Sequence, residues 1–148
     1  MIKVKEILDK KGHLFYSVLP ENTVFEALQT MAAKDIGAVL VIDHNQLLGM
    51  FTERDYARKI ILHGFASKNS IVGDFMTREL YSVHSDTSMY DCMALMTTKH
   101  IRHLPVIDEG KVTGLISIGD VVSAVIKQQD ITIKDLENYI YGGRGIHT

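Results

Sequence analysis

The hydrophobic positions of this chain change period in a fixed order, and they do so twice. A short step, Tyr16-Ser17-Val18, leads to Thr23 and then to apolar residues at helical spacing from Val24 to Lys34. Two apolar runs of strand length follow, at 38–42 and 47–51, parted by the polar pair His44-Asn45. A second helical run begins after Thr52. The same order starts again at Tyr81-Ser82-Val83, with Ser88 before a helix over Met89 to Lys99. Strand runs at 104–107 and 112–116 follow about Glu109-Gly110, and another helix opens after Ser117. Thr23, Thr52, Ser88 and Ser117 stand where helix N-caps belong, each with an acid three residues on.

Sliding the chain against itself by 65 residues makes the duplication explicit. Twelve identities fall within 46 positions, 16–61 on 81–126, where ordinary amino-acid usage gives about three. Ahead of each copy, VKEIL from Val4 pairs with VGDFM from Val72 at a spacing of 68. The predicted fold class is α/β (α+β): two β-α-β-β-α units, each with a sheet face that it cannot bury alone, packed about a pseudo-twofold axis. The expected organisation is a first repeat with its N-terminal helix at 1–65, a second at 66–130, and a C-terminal helix near 134–141 with a flexible tail, GGRGIHT, within 131–148.

Composition narrows the function. The 148 residues are 46% hydrophobic and 23% charged, with two prolines, the make-up of an ordinary globular protein. No apolar run approaches the roughly 20 residues that span a bilayer, and the N-terminus lacks a signal peptide's apolar region, so a cytoplasmic protein is expected. A formal net charge of −2 gives no broad cationic field for nucleic acid.

The candidate chemistry lies where the last strand of each copy meets its last helix, at GMFTERD (49–55) and GLISIGD (114–120). In each, a hydroxyl caps a helix whose free N–H groups attract an anion, and an Asp three residues on can accept two hydrogen bonds from a sugar's vicinal hydroxyls. A bare capping box explains one such motif. Two at equivalent positions favour a binding role.

The pattern HLPVID…G-LISIGD, with its partner VLVID…G-MFTERD, resembles a tandem pair of cystathionine-β-synthase (CBS) domains, a Bateman module, over residues 4–129. The resemblance implies a regulatory module that binds an adenine nucleotide in clefts between the copies; with no candidate nucleophile, metal set or phosphate-cradling Gly-rich loop near them, a non-enzymatic sensor is expected ahead of a structural pair without ligand or a nucleotide-acting enzyme. AMP or NAD(H) stands ahead of ATP, ADP or S-adenosylmethionine. One cleft would place Ser117 and Asp120 on the ribose with Gly119 between them, main chain at Ile36, Gly37 and Ala38 on the adenine edge, Arg102 and His103 at the phosphate, and Tyr16 and Ser17 lining the base. The other would use Thr52 and Asp55, with Arg54 and Arg58 near the phosphate and backbone at Arg102, His103 and Leu104 against the base. Bulk at Arg102-His103, where the first copy has Gly37-Ala38, makes the Ser117/Asp120 cleft the expected stronger site. The resemblance also implies a homodimer, or a higher assembly, and an effector protein as partner. The helices at 55–62 and 120–128 are the expected interface, through Ile60, Ile61, Val121, Val122, Val125 and Ile126.

Three weaker signals add nothing to this picture. His100-x-x-His103 lacks a third ligand at zinc spacing. Cys92 replaces Ala27 of the first copy and reads as a small buried hydrophobe rather than a nucleophile. The tail's YGGRG is not a dinucleotide fingerprint, although its Arg144 offers a cation to a phosphate or a partner.

Overall fold

The polar pairs between the strand runs make tight turns. His44 and Asn45 have φ of 49° and 62°, and Glu109 and Gly110 have φ of 51° and 75°, the paired positive angles of a type I′ hairpin. The computed structural model describes residues 1–140. The predicted tail, Arg144 included, therefore lies outside the described residues. In chain order the elements are α1 (Val4–Lys11), β1 (Ser17–Val18), α2 (Val24–Lys34), β2 (Ala38–Asp43), β3 (Gln46–Thr52), α3 (Glu53–Asp55), α4 (Val72–Phe75), α5 (Met89–Lys99), β4 (His103–Asp108), β5 (Lys111–Ser117) and α6 (Ile118–Ile140). They form two compact units, Leu14–Ser82 and Met1–His13 with the chain from Val83.

In the unit Leu14–Ser82, β1 runs parallel to β2 and β2 pairs antiparallel with β3. The Thr23–Glu26 capping box starts α2, and Asp35, left-handed at φ 54°, stops it. One face of α2 buries Val24, Ala27 and Met31 against Val39, Val41 and Phe51, and Ile60, Val72 and Met76 close the core. After α3 the backbone continues as a π-helix, Tyr56–Ile61, where the periodicity predicts one ordinary helix over 55–62. The wider turn carries Lys59 beside Asp55 and the Phe75 carbonyl.

In the other unit, β4 and β5 form the hairpin, and α5 buries Met89, Cys92 and Met96 with Leu104, Val106, Ile116 and Val121. The predicted leading strand at Tyr81-Ser82-Val83 is reduced to one bridge, Val83 to Val106. The reason lies in one residue. In the first copy Leu40 N–H donates to the Tyr16 carbonyl at 3.0 Å, and the position equivalent to Leu40 is Pro105, which has no N–H to give.

Two further expectations change. The helix predicted over 120–128 and the separate one near 134–141 are a single 23-residue helix, α6, because no Pro or Gly stands between Gly119 and Gly142 to break it. The N-terminal helix, grouped by chain order with the first repeat, packs in the unit of the second. Its Val4, Ile7 and Leu8 join the core of Leu104, Val106 and Ile116, while α4, at the matching place before the second copy, joins the core of the first. This exchange explains the glycine of each motif. A Cβ on Gly114 would meet both Leu8 methyls at 2.8 Å, and one on Gly49 would meet the Thr77 carbonyl oxygen at 2.7 Å and the Met76 sulfur at 2.9 Å. Leu8 and Met76 are themselves equivalent at the spacing of 68.

Candidate functional site

Both motifs are capping boxes, and they differ in how completely each Asp is used. At the first, Thr52 Oγ1 accepts from Asp55 N–H at 3.1 Å. Asp55 Oδ2 accepts from Thr52 N–H at 3.0 Å and Thr52 Oγ1–H at 3.1 Å. Its Oδ1 accepts from Thr77 Oγ1–H at 2.9 Å and from Lys59 Nζ at 3.0 Å. The residue is 6% exposed. Both oxygens are thus engaged, and a sugar hydroxyl would have to displace one of these donors.

At the second, Ser117 Oγ accepts from Asp120 N–H at 3.2 Å and Asp120 Oδ2 accepts from Ser117 N–H at 2.8 Å. Lys11 Nζ donates to the same oxygen at 2.7 Å and to the Leu115 carbonyl at 2.9 Å. Oδ1 has no bonded partner among the described residues. Burial works against the charge of Asp120, but the Lys11 ammonium and the Ser117 hydrogen bonds outweigh it, so its carboxyl stays below the usual range. The Asp is therefore an anion at neutral pH, with one oxygen open.

Each strand entry lies against its motif. Ala38 pairs with Thr52 across the sheet and Glu53 N–H donates to the Gly37 carbonyl at 3.1 Å. Correspondingly, His103 pairs with Ser117 and Ile118 N–H donates to the Arg102 carbonyl at 2.8 Å. Within the unit Leu14–Ser82 the fold thus gathers Ile36, Gly37, Ala38, Thr52 and Asp55. The other unit gathers Arg102, His103, Leu104, Ser117, Gly119 and Asp120. Tyr16 lies on the neighbouring chain, half-buried, with Lys34 Nζ at 5.2 Å from its ring centre. Ser17, Arg54, Arg58 and Arg102 are exposed, Ala38 and Leu104 are buried, and a Cβ on Gly119 would meet only Ser117 Oγ, at 3.7 Å.

His103 is partly buried. Burial first, then the charges of Lys11 and Arg102, pull its pKa below the ordinary value against the opposing effect of Asp120. It stands here as a neutral ring that can donate one hydrogen bond, not as a phosphate-binding cation. Cys92 is buried, and burial pushes its thiol up to about 11, which leaves it an inert core residue. Among the described residues no three His, Cys, Asp or Glu side chains lie close enough to hold a metal ion, and no helix is long and apolar enough to cross a membrane.

Three residues at these sites escaped the sequence reading: Lys11, Lys59 and Thr77. Lys59 was legible as an i,i+4 partner of Asp55. Lys11 and Thr77 follow the two segments matched at spacing 68, but nothing in that match says which motif each segment covers.

The CBS domain family model matches residues 4–62 and 72–127. The chain belongs to the CBS domain family, as a pair of its repeats. It is 42% identical over 128 residues to the CBS domain-containing protein CBSX3, mitochondrial, of Arabidopsis thaliana, in a match that covers 83% of this chain and 62% of that relative. The chain thus spans less than two thirds of the relative's length. Among solved structures, a protein with CBS domains from Burkholderia ambifaria MC40-6 superposes with a TM-score of 0.83 at 45% identity, covering 86% of this chain and 96% of that one. The CBS domain pair of protein MJ0100, solved with 5′-methylthioadenosine and S-adenosyl-L-methionine, superposes with a TM-score of 0.74 at 22% identity, over 87% of this chain and 98% of that one.

Proposed function

We propose that this chain is a non-catalytic sensor of an adenine nucleotide, AMP or NAD(H) ahead of ATP, ADP or S-adenosylmethionine, with the Ser117–Asp120 edge as the stronger site. The observation that carries the reading is the contrast between the two aspartates. Asp120 is an ionised, partly exposed carboxylate with an open oxygen beside a helix start, while Asp55 has both oxygens engaged. The adenosine ligands of MJ0100 agree with the ligand class. The assignment of Ile36, Gly37 and Ala38 to the adenine edge rests on the family resemblance. The buried Cys92 thiol, pushed up to about 11, is no nucleophile, which favours binding over turnover.

Calorimetry with AMP and GMP tests it. AMP should bind in the micromolar range and GMP far more weakly, and Asp120→Ala should cost roughly 1.5–3 kcal/mol of binding, the scale of a hydrogen-bonded charge. Equal binding of both nucleotides, or of neither below millimolar, would refute the adenine reading.

Occupancy is proposed to act on a homodimer and, through it, on an effector protein. The interface expected from the apolar pattern needs one correction: Ile60 and Val121 are fully buried in the cores of their own units, so neither can face a partner. Ile61, Val122 and Ile126, at 53%, 45% and 54% exposed, remain to form it, while Val125 is partly buried against the core of its own unit.

A further inference from the structure

The carboxylate assigned to the ribose is not naked. Lys11, the last residue of α1, has its ammonium 2.7 Å from Asp120 Oδ2 and 2.9 Å from the Leu115 carbonyl oxygen. It is not a roving surface lysine. The helix that carries it is seated by fully buried Val4 and Leu8, with Leu8 lying over Gly114, and a ring nitrogen of His13 lies 3.2 Å from the Thr113 carbonyl oxygen just beyond. The position matching Lys11 before the second copy, 68 residues on, is Glu79. The lysine is therefore a property of one site and not of the repeat.

Beside the pair, a groove of about 340 Å³ opens between α1 and the first turns of α6. That volume is at the lower end of the roughly 300–1,000 Å³ that small-molecule sites occupy. Lys10 and Lys11 line it from α1 and Lys127 from α6; Glu6 and Asp120 are its acids, and Ile2 and Ile7 its apolar wall. Three ammonium groups against two carboxylates leave the groove positive even with Asp120 ionised.

These charges sort the adenosine derivatives. An uncharged nucleoside meets a carboxylate already neutralised by Lys11 and gains nothing from the other lysines. A sulfonium compound brings its own positive charge into a positive groove. A 5′-phosphate gains up to three ammonium donors, and Lys11 can turn to it as the ribose hydroxyls take over Asp120. A lysine ammonium serves as a mobile point charge of this kind, where arginine's planar fork favours one fixed geometry.

Building on the adenine reading, we propose that Lys11 is the specificity-determining residue of the Ser117–Asp120 site, and that with Lys10 and Lys127 it selects 5′-phosphorylated adenine ligands over adenosine and over S-adenosylmethionine. The pair also links the end of α1 to the ligand, since binding exchanges the Lys11–Asp120 contact for two contacts to one small molecule.

The test is calorimetry on the full chain with AMP, adenosine and S-adenosylmethionine. The wild type should bind AMP at least tenfold tighter than either of the others. Lys11→Met should lower AMP affinity about tenfold while adenosine binds as well as before or better, because Asp120 is released. Lys11→Arg should restore the AMP preference. An equal loss for AMP and adenosine in Lys11→Met would reduce Lys11 to a structural contact and overturn the proposal, as would a wild type that binds adenosine or S-adenosylmethionine as tightly as AMP. A wild type that binds none of the three defeats the adenine reading itself, a different outcome. Should Lys11→Met unfold, Lys127→Met on exposed α6 serves instead: the AMP-to-adenosine ratio should fall several-fold, and an unchanged ratio overturns the proposal.

Discussion

Replacing Asp55 with alanine should damage the fold more than the same change at Asp120, although the two aspartates are equivalent in sequence. Asp55→Ala removes four accepted hydrogen bonds, from Thr52 N–H, Thr52 Oγ1–H, Thr77 Oγ1–H and Lys59 Nζ. Not all of that is lost stability. Lys59 keeps the Phe75 carbonyl at 2.8 Å, and its side chain is 40% exposed, so water replaces much of the ion pair. That places the cost below the roughly 3–5 kcal/mol of breaking a fully buried pair. The Thr52 amide and the Thr77 hydroxyl are part-buried donors to a charge, worth about 1.5–3 kcal/mol before the returned desolvation of the carboxylate is counted. A net loss of about 2–3 kcal/mol follows, or a fall in Tm on the order of 5–10 °C for a chain of this size. Asp55→Asn should be nearly as harmful, because the groups around the carboxylate are donors and an amide offers one accepting atom instead of two. At Asp120, with its open oxygen and a side chain 21% exposed, the loss should be about 1 kcal/mol. Thermal and urea unfolding followed by circular dichroism measure all three. An Asp55→Ala protein that melts within about 1 °C of wild type, or an Asp120→Ala protein that melts lower than it, would refute the reasoning.

Three further outcomes are expected. Gly49→Ala forces a Cβ to within 2.7 Å of the Thr77 carbonyl oxygen, a backbone atom that also accepts the Met50 amide; it should destabilise by about 2–3 kcal/mol, and a neutral result in urea unfolding would mean that the segment after α4 is not held there. Because burial and the neighbouring cations depress the His103 pKa, the unfolded chain takes up the proton first as pH falls below about 6.5. Stability from this residue is complete above that pH and is lost below it, so His103→Gln should flatten the dependence of Tm between pH 7.5 and 5 relative to wild type, and parallel curves would contradict the assignment. Val122→Glu, on the exposed face of α6, should convert a dimer to monomer in sedimentation at tens of micromolar, and an intact dimer would place the interface elsewhere.

What the sequence by itself determined is what neighbouring residues enforce on one another. The duplication, the helix starts at Thr23, Thr52, Ser88 and Ser117, the two hairpins and the hydroxyl-x-x-Asp motifs all depend on hydrogen bonds and side-chain spacing within a few residues, so their pattern is visible in the chain. Even the truncated strand before the second copy had a local cause, since Pro105 lacks the N–H that Leu40 uses. Tertiary structure decided which motif each preceding helix covers, and with it the difference between the two aspartates. Lys11 reaches Asp120 across 109 residues and Thr77 reaches Asp55 across 22. A local pattern cannot encode such a meeting, because many chain segments have the same apolar face as α1. With Leu8 packed over Gly114 and Met76 over Gly49, Lys11 arrives at Asp120 and Thr77 at Asp55, and only Asp120 keeps an oxygen open.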